Sequence, residues 1–480
     1  MPQPLLRRLL VDVGMWPSHV RRLLDAMRAV PLPPANETVA HAEEALESLR
    51  RRYLDMQSGV SQLLKPLGLH DQEHILRDPR NASGSKLLRA LPPSLLEPAL
   101  VALGMRASDV HRLPDVLKYS ELNVAFWSNN MTERGTEVAL FDYAHFGEIY
   151  LGFTAWVLYD AHCVKNVAAT ISKFRDRFGA RLIPMQKCSE SGCDIPELEK
   201  VLQAAGITHI YVIKFGETGS PDITRWGDRR VMVHAVFNGT QPHGDVYARI
   251  SPCVPGVGSV VPHIVRPTDA HGSNLRAELG IPDDATVFGR HGGTNTFDIF
   301  EARAAVLSVA RQRSDIYFVF LNTPPLSYDR EGQPLEMFNV IHLPPTVDDA
   351  YKSRFIRTCD AMLHARASGE TFGLAVAEFS SLNRPIFTSS VHTDQGRARF
   401  HLDCLGIKAL LYHDTPSLEK RLLEFDRDAV RKQDWNCYRD FEPQPVMQAF
   451  KRVFLESPSL RYKHASTTCR QAPTNLRYGG

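Results

Sequence analysis

The sequence predicts an α/β protein built from two parallel-sheet domains that follow a helical N-terminal region. Three observations carry this expectation. Strand-length apolar runs alternate with segments of helical spacing from Leu122 to Phe237, residues 251–270 hold enough Pro and Gly to break a sheet, and a second alternation runs from Ser273 to Phe425. Repeated βα units require a parallel sheet with helices on both faces, because each crossover must bury an apolar helix stripe. The length of 480 residues suits about three domains of ordinary size.

Residues 1–118 are expected to form a separate helical region. Leu5, Leu6, Leu9, Leu10 and Val13 share one side of a helix, with Arg7 and Arg8 opposite and Gly14 and Pro17 ending it. Val20, Leu23, Leu24 and Met27 repeat the pattern beside Arg21, Arg22 and Arg28. Such amphipathicity is the ordinary state of a helix packing on its own domain. The functional readings are a peripheral membrane contact through a surface anchor, or an organelle-targeting peptide. After Pro31-Leu32-Pro33-Pro34, residues Val39, Ala42, Leu46, Leu49, Tyr53, Met56, Val60 and Leu63 describe one apolar stripe. An intramolecular helical hairpin is the favoured reading, and a homodimer through these N-terminal helices is the alternative.

The first α/β domain, 119–265, opens with the strand Leu122–Trp127, a polar loop from Ser128 to Gly135, and a helix over Thr136–Glu148. This is the first crossover of a nucleotide-type sheet, without GxGxxG. Strands at Thr154–Tyr159, Arg181–Met185, Thr208–Lys214 and Arg230–Phe237 alternate with helices at Lys165–Phe178 and Ile195–Ala205. His234 falls near the carboxyl end of its strand, the edge where open α/β sheets collect ligands. A lone strand histidine is more often a core residue.

The second α/β domain, 266–436, is expected to begin with a helix at Ser273–Leu279 and a strand at Thr286–Gly289. The loop Arg290-His291-Gly292-Gly293-Thr294-Asn295 follows, then a helix at Ile299–Arg311 and strands at Ile316–Leu321 and Val340–Leu343. Asp360–His364 reads as a strand running into Gly369-Glu370-Thr371-Phe372-Gly373-Leu374-Ala375-Val376-Ala377-Glu378. Beyond it come strands at Pro385–Thr388 and Gly406–Tyr412 and a helix at Thr415–Phe425. Residues 437–480 are read as a final apolar helix, about Pro445–Phe454, and a polar tail.

Glu370 and Glu378 bracket a Phe-Gly-Leu turn and a helix start. A helix of eight residues makes a little over two turns, so Glu370 is expected at the helix mouth and Glu378 on its side. The unsatisfied N–H groups of Phe372, Gly373 and Leu374 favour an anion such as phosphate. This motif resembles the paired-glutamate signature of retaining glycosyltransferases with the two-domain GT-B fold, especially family 4. Ser273-Asn274-Leu275-Arg276-Ala277-Glu278-Leu279-Gly280-Ile281-Pro282 and Val287-Phe288-Gly289-Arg290 are similar to the opening of that family's donor-binding domain.

The resemblance implies two Rossmann-like domains facing a cleft. It implies a hexose moving from a nucleotide-diphosphate sugar to a hydroxyl acceptor (a glycan, a lipid or a protein glycan), with retention and with no metal or cofactor beyond the co-substrate. It assigns Glu370 to the donor-sugar hydroxyls, Glu378 to the ribose hydroxyls and the 372–374 N–H groups to the β-phosphate. Arg290 would clamp the diphosphate, a task its planar fork suits. The family's lysine about five positions downstream is here Asn295, so either another cation substitutes, with Arg366 and Lys214 as the candidates, or the site binds without catalysing. Asn130, Arg134 and Gly135 would occupy the loop facing acceptor and phosphates, His234 would be directed at the donor sugar or acceptor hydroxyl, and the last helix would cross back to the first domain. The competing readings are a nucleotide-sugar epimerase or phosphorylase of the same fold, and a non-catalytic sugar-nucleotide-binding scaffold.

Bulk properties narrow the partners. A net charge of +2 from 56 basic and 54 acidic residues gives a nucleic-acid partner no support. Eight cysteines at 163, 188, 193, 253, 359, 404, 437 and 469 form no CxxC and no zinc spacing, which reads as reduced thiols in a cytoplasmic protein. No run of 18 apolar residues occurs, the length at which a membrane-spanning helix is expected.

Overall fold

The computed structural model describes residues 118–119, 121–128, 130–185, 195–219, 226–267, 272–328, 330–391 and 398–459. The helices expected within residues 1–117 and the tail beyond 459 lie outside the described residues. Both sheets belong to one compact unit, Leu122–Ile149 with Thr154–Gly480.

The first sheet is built from β1 (Asn123–Ser128), β2 (Thr154–Asp160), β3 (Leu182–Met185), β4 (His209–Lys214), β5 (Arg230–Ala235), β6 (Val246–Arg249) and β7 (Ser259–Val260), with helices α1 (Gly135–Tyr150), α2 (Ala168–Phe178) and α3 (Ile195–Ala204). Its order is β3-β2-β1-β4-β5-β6-β7, parallel throughout. The second sheet contains β8 (Thr286–Arg290), β9 (Ile316–Leu321), β10 (Val340–Leu343), β11 (Ala361–Leu363), β12 (Ile386–Ser389) and β13 (Leu410–Tyr412), in the order β10-β9-β8-β11-β12-β13. Helices α4 (Phe300–Gln312), α5 (Asp349–Thr358), α6 (Leu374–Ser381), α7 (Phe400–Leu405), α8 (Thr415–Leu423), α9 (Arg427–Arg431) and α10 (Pro443–Phe450) accompany it. These are two Rossmann-like sheets. In each, the order reverses beside the first strand, at β1/β4 and β8/β11, and ligands of open α/β sheets gather at the carboxyl ends there.

Burial explains why the strands form. All six residues of β9, Ile-Tyr-Phe-Val-Phe-Leu, are buried, as a parallel strand covered on both faces requires. Gly289 in β8 has a specific packing reason. A Cβ there would lie 2.1 Å from Cys359 Sγ, so only glycine lets α5 and α6 close under the switch point. One core joins Val236, Ile250 and Val254 of the first sheet region to Phe372, Phe379, Leu405 and Tyr438 of the second.

Past α10, the π turn Lys451–Leu455 carries the chain onto the first sheet. Phe450 stacks near Tyr143 and Tyr211, Phe454 near Tyr211 and His234, and Arg230 Nε donates to the Phe454 carbonyl at 3.0 Å. Two expected elements differ. The helix expected over Ser273–Leu279 is absent: Leu275 is a bend and 276–280 form turns. Asn274 Oδ1 accepts from Arg276 N, Arg276 reaches back to the carbonyls of Pro282 and Ala285, and Gly280 stops the turn at φ +66°. The Gly406–Tyr412 strand is a short 3-10 turn, Gly406–Lys408, followed by the three residues of β13.

Candidate functional site

The loop from β11 to α6 is held in one conformation by two glycines. Gly369 has φ +66°, and a Cβ there would meet the Ala398 carbonyl oxygen at 2.0 Å. Gly373 caps α6 in the left-handed region, φ +85° and ψ 60°, and a Cβ there would sit 3.2 Å from Glu370 Cβ. Glu370 is also tied by its backbone, with its N donating to Ala398 O at 2.5 Å and its O accepting from Phe400 N at 3.0 Å. No side chain caps α6, so its first N–H groups keep the anion-favouring dipole end. The Phe372 ring anchors the turn among His263, Phe400, Tyr438 and Phe441.

Both glutamates have cationic or imidazole neighbours. Arg366 Nη1 donates to Glu370 Oε2 at 2.7 Å, and His364 Nε2 lies 3.4 Å from Oε1. Burial pushes the Glu370 carboxyl up, but His364 and Arg366 together outweigh it and hold the group below its ordinary value. His364 is in turn braced by Thr388 Oγ1 at 2.9 Å, which bonds His401 Nε2 at 3.2 Å. Glu378 meets Lys352 Nζ at 2.5 Å and His291 Nε2 at 3.0 Å. Burial raises it, yet Lys352 and His291 hold it far below the carboxylate range. Burial also pulls Lys352 down, and Glu378 and Asp349 reverse that. His291 stays below its ordinary value because burial outweighs the pull of Glu378.

Lys352 continues into a charge chain across the two sheet regions. It lies 3.7 Å from Asp349, which accepts from Lys173 of α2 at 2.8 Å and from Arg266 at 2.5 Å. Arg266 Nε also donates to the buried Asp142 of α1 at 2.6 Å. Two carboxylates, two cations and a linker arginine therefore meet between α1, α2 and α5.

The predicted residues fall in different surroundings. Gly135 starts α1 opposite α6, and a Cβ on it would lie 3.4 Å from Leu374 Cδ1. Asn130 is half-buried and its carbonyl accepts from Ser128 Oγ. Arg134 is exposed, with its carbonyl accepting from Val138 N at 3.1 Å. The Arg290 guanidinium is buried and spent on two loops: Nη1 donates to Thr323 Oγ1 and to Asn322 O at 3.3 Å, and Nη2 to Gly293 O at 2.7 Å and Thr296 Oγ1 at 2.5 Å. Burial pushes it down to about 10. Asn295 is exposed on the same loop. Of the two expected substitute cations, Arg366 stands beside Glu370, whereas Lys214 is near His243, 3.3 Å away.

His234 is 0% exposed. Its Nδ1 bonds Tyr211 Oη at 2.7 Å, with Tyr143, His263 and Phe454 around the ring. Burial pushes it down to about 3, so it is neutral and sits within an aromatic core, not beside Glu370 or Glu378. Lys352, His291, His364 and the Arg266 chain escaped the sequence reading. His291 alone had a signal, as the residue after Arg290 at the end of β8. Among the described residues no group of three His, Cys, Asp or Glu could hold a metal, and no helix is long and apolar enough to cross a membrane.

The sequence matches no protein-family profile and no curated protein. Solved structures do resemble it. Anabaena Alr3699/HepE in complex with UDP-glucose superposes with a TM-score of 0.53 at 12% identity, covering 70% of this chain and 100% of that one. The same protein with UDP and glucose gives 0.51 at 13% identity, with the same coverage. A glycosyltransferase from Rickettsia africae gives 0.50 at 11% identity, covering 70% and 99%. At these identities the likeness establishes the fold, two Rossmann-like domains in the GT-B arrangement.

Proposed function

We propose that the chain is a glycosyltransferase that moves a hexose from a nucleotide-diphosphate sugar to a hydroxyl acceptor, with retention and without a metal. One observation carries the reading. An uncapped helix start at the β8/β11 switch point has an ionised carboxylate on each side, and the start of α1 faces it through Gly135 and Leu374. The chemistry needs a leaving diphosphate neutralised, a sugar oriented and a nucleotide held. The α6 N–H groups suit the first task, because aimed backbone dipoles stabilise developing negative charge without reorganising. Glu370, kept ionised, suits the sugar hydroxyls as an acceptor. Glu378 retains acceptor capacity beyond Lys352 and His291, which suits a ribose diol. Arg366 takes the part that Asn295 leaves vacant. The solved relative with UDP-glucose bound supports a nucleotide-sugar donor for this fold.

A second reading, nucleotide-sugar binding without turnover, is favoured by one feature. Arg290 already satisfies four protein acceptors, so it has little left for a diphosphate. Incubation with a panel of nucleotide sugars, measuring nucleoside diphosphate release with and without hydroxyl acceptors, separates the two. Release supports the transferase. Saturable binding with no release from any donor supports the binding protein, and an interconverted sugar nucleotide supports an epimerase.

A further inference from the structure

The carboxyl edge of the first sheet carries an aromatic pair that the donor-site chemistry does not use. Phe215 follows β4 and Phe237 follows β5, with 56% and 40% of their surface exposed, and their rings lie 5.3 Å apart at 36°. Val257, 59% exposed, comes from the loop after β6. Large exposed apolar side chains gathered in one place mark binding surfaces more often than scattered ones do.

This surface is built on braced loops. Phe237 N and Asn238 N both donate to the Phe215 carbonyl, at 3.0 and 2.9 Å. The buried Tyr247 hydroxyl reaches the carbonyls of Gly216 and Asn238. Gly216, at φ +126°, sits so close that a Cβ would overlap the Asn238 carbonyl oxygen at 1.7 Å. Gly256 crosses Gly239 equally closely, with Val257 N donating to Gly239 O at 3.1 Å. Two rings held out of the core by backbone hydrogen bonds need another reason for being there.

Their surroundings specify the partner. Asn238 Nδ2 donates to Glu217 Oε1 at 2.9 Å, and Thr218 donates to Gln241 Oε1 at 2.8 Å, all at the rim. Ring faces bordered by planar amides and a carboxylate match a pyranose, which has an apolar C–H face and a hydroxyl edge; aromatic contact and a few oriented polar groups are what such sites offer. A lipid surface would instead call for basic residues aimed at solvent; Glu217 is acidic, Lys214 is buried, and the Arg249 guanidinium is turned onto the carbonyls of Val254 and Gly258. The platform also adjoins the donor lobe. Val236, next to Phe237, shares a core with Phe372, and Cys253 Sγ donates to Asp403 at 3.3 Å on α7, whose first residue bonds Glu370.

We infer that Phe215 and Phe237 form a stacking platform for a sugar ring of the acceptor, so that the acceptor is a saccharide. This rests on the transferase reading for its role, but the binding itself is tested separately. Saturation-transfer NMR with maltose, cellobiose, lactose and chitobiose as probes is run on the full chain and on the Phe215→Ala/Phe237→Ala double variant. Transfer from aromatic protons to at least one probe is expected in the wild type, with affinity about ten-fold weaker in the double variant and retained in Phe215→Trp. Both rings are exposed, so unchanged urea midpoints are the expected folding control. In turnover, the double variant keeps diphosphate release to water and loses the saccharide-dependent increment. No saccharide signal in the wild type, equal signals in both proteins, or binding to phosphatidylglycerol vesicles that the double variant loses while saccharide binding is absent would each overturn the platform. Absence of diphosphate release from any donor would count against the transferase alone.

Discussion

Replacing Lys352 by methionine removes the cation from Glu378 while keeping an unbranched stem in its space. The two side chains are 18% and 21% exposed, intermediate between a surface pair worth less than about 1 kcal/mol and a buried one whose disruption costs about 3–5 kcal/mol. His291 still faces the carboxylate, so the expected loss at pH 7 is about 2 kcal/mol. The pH dependence identifies the cause. Wild-type Glu378 is held well below the ordinary 4.5, so its stabilisation is fully present above that pH and is lost as pH falls toward the depressed value. In the variant burial is opposed only by His291 and the more distant charge of Arg266, and the carboxyl returns toward 4.5. The gap between the two proteins should therefore close below pH 4.5, by about 1.4 kcal/mol per pH unit. Urea unfolding at pH 7 and pH 3.5, compared only where the slopes agree, reads this directly. A loss of equal size at both pH values would mean that packing and not charge was removed, and no loss at pH 7 would refute the ion pair.

Three further outcomes follow from the same geometry. Glu370→Gln should abolish transfer while the chain still folds, with the urea midpoint falling only modestly because the amide oxygen can still accept from Arg366, whereas Glu378→Ala should weaken UDP binding about ten-fold by calorimetry; wild-type activity in both variants would remove the carboxylate assignment. Gly373→Ala should cost about 1–2 kcal/mol because the left-handed cap becomes strained, and should lower turnover by pressing on Glu370 Cβ at 3.2 Å; full stability and activity would show that the cap is dispensable. Arg290→Lys loses a fork joining the 293–296 and 322–323 loops, so the urea midpoint should fall by the equivalent of about 2 kcal/mol. A loss of donor affinity with no loss of stability would return Arg290 to the diphosphate.

The fold was legible wherever burial leaves a local mark. β9 was legible to the residue because a parallel strand covered on both faces is an apolar run, β10 had the expected bounds although its residues are only half-buried, and the start of α6 was legible because Glu370 and Gly373 mark it. The short strands β6 and β7 escaped, since Val-Tyr-Ala-Arg and Ser-Val carry no such run. The helical pattern of Ser273–Leu279 is overridden by bonds the pattern does not show: Leu275 N donates to Thr358 Oγ1, Arg276 N to Asn274 Oδ1, and the Arg276 guanidinium to Asp360 and the Ala285 carbonyl. Glu370 and Glu378 were visible as a pair, while Lys352, Asp349 and Arg266 were not, because their partners are distant in sequence. His234 could be assigned to a strand end but not to a face, and the face it occupies belongs to Tyr143, Tyr211 and Phe454.

The most direct test is a crystal of the full chain soaked with UDP-glucose. The diphosphate is predicted on the N–H groups of Phe372, Gly373 and Leu374, with the ribose hydroxyls on Glu378 and the hexose beside Glu370. A nucleotide bound elsewhere, with the start of α6 left to solvent, would contradict the account.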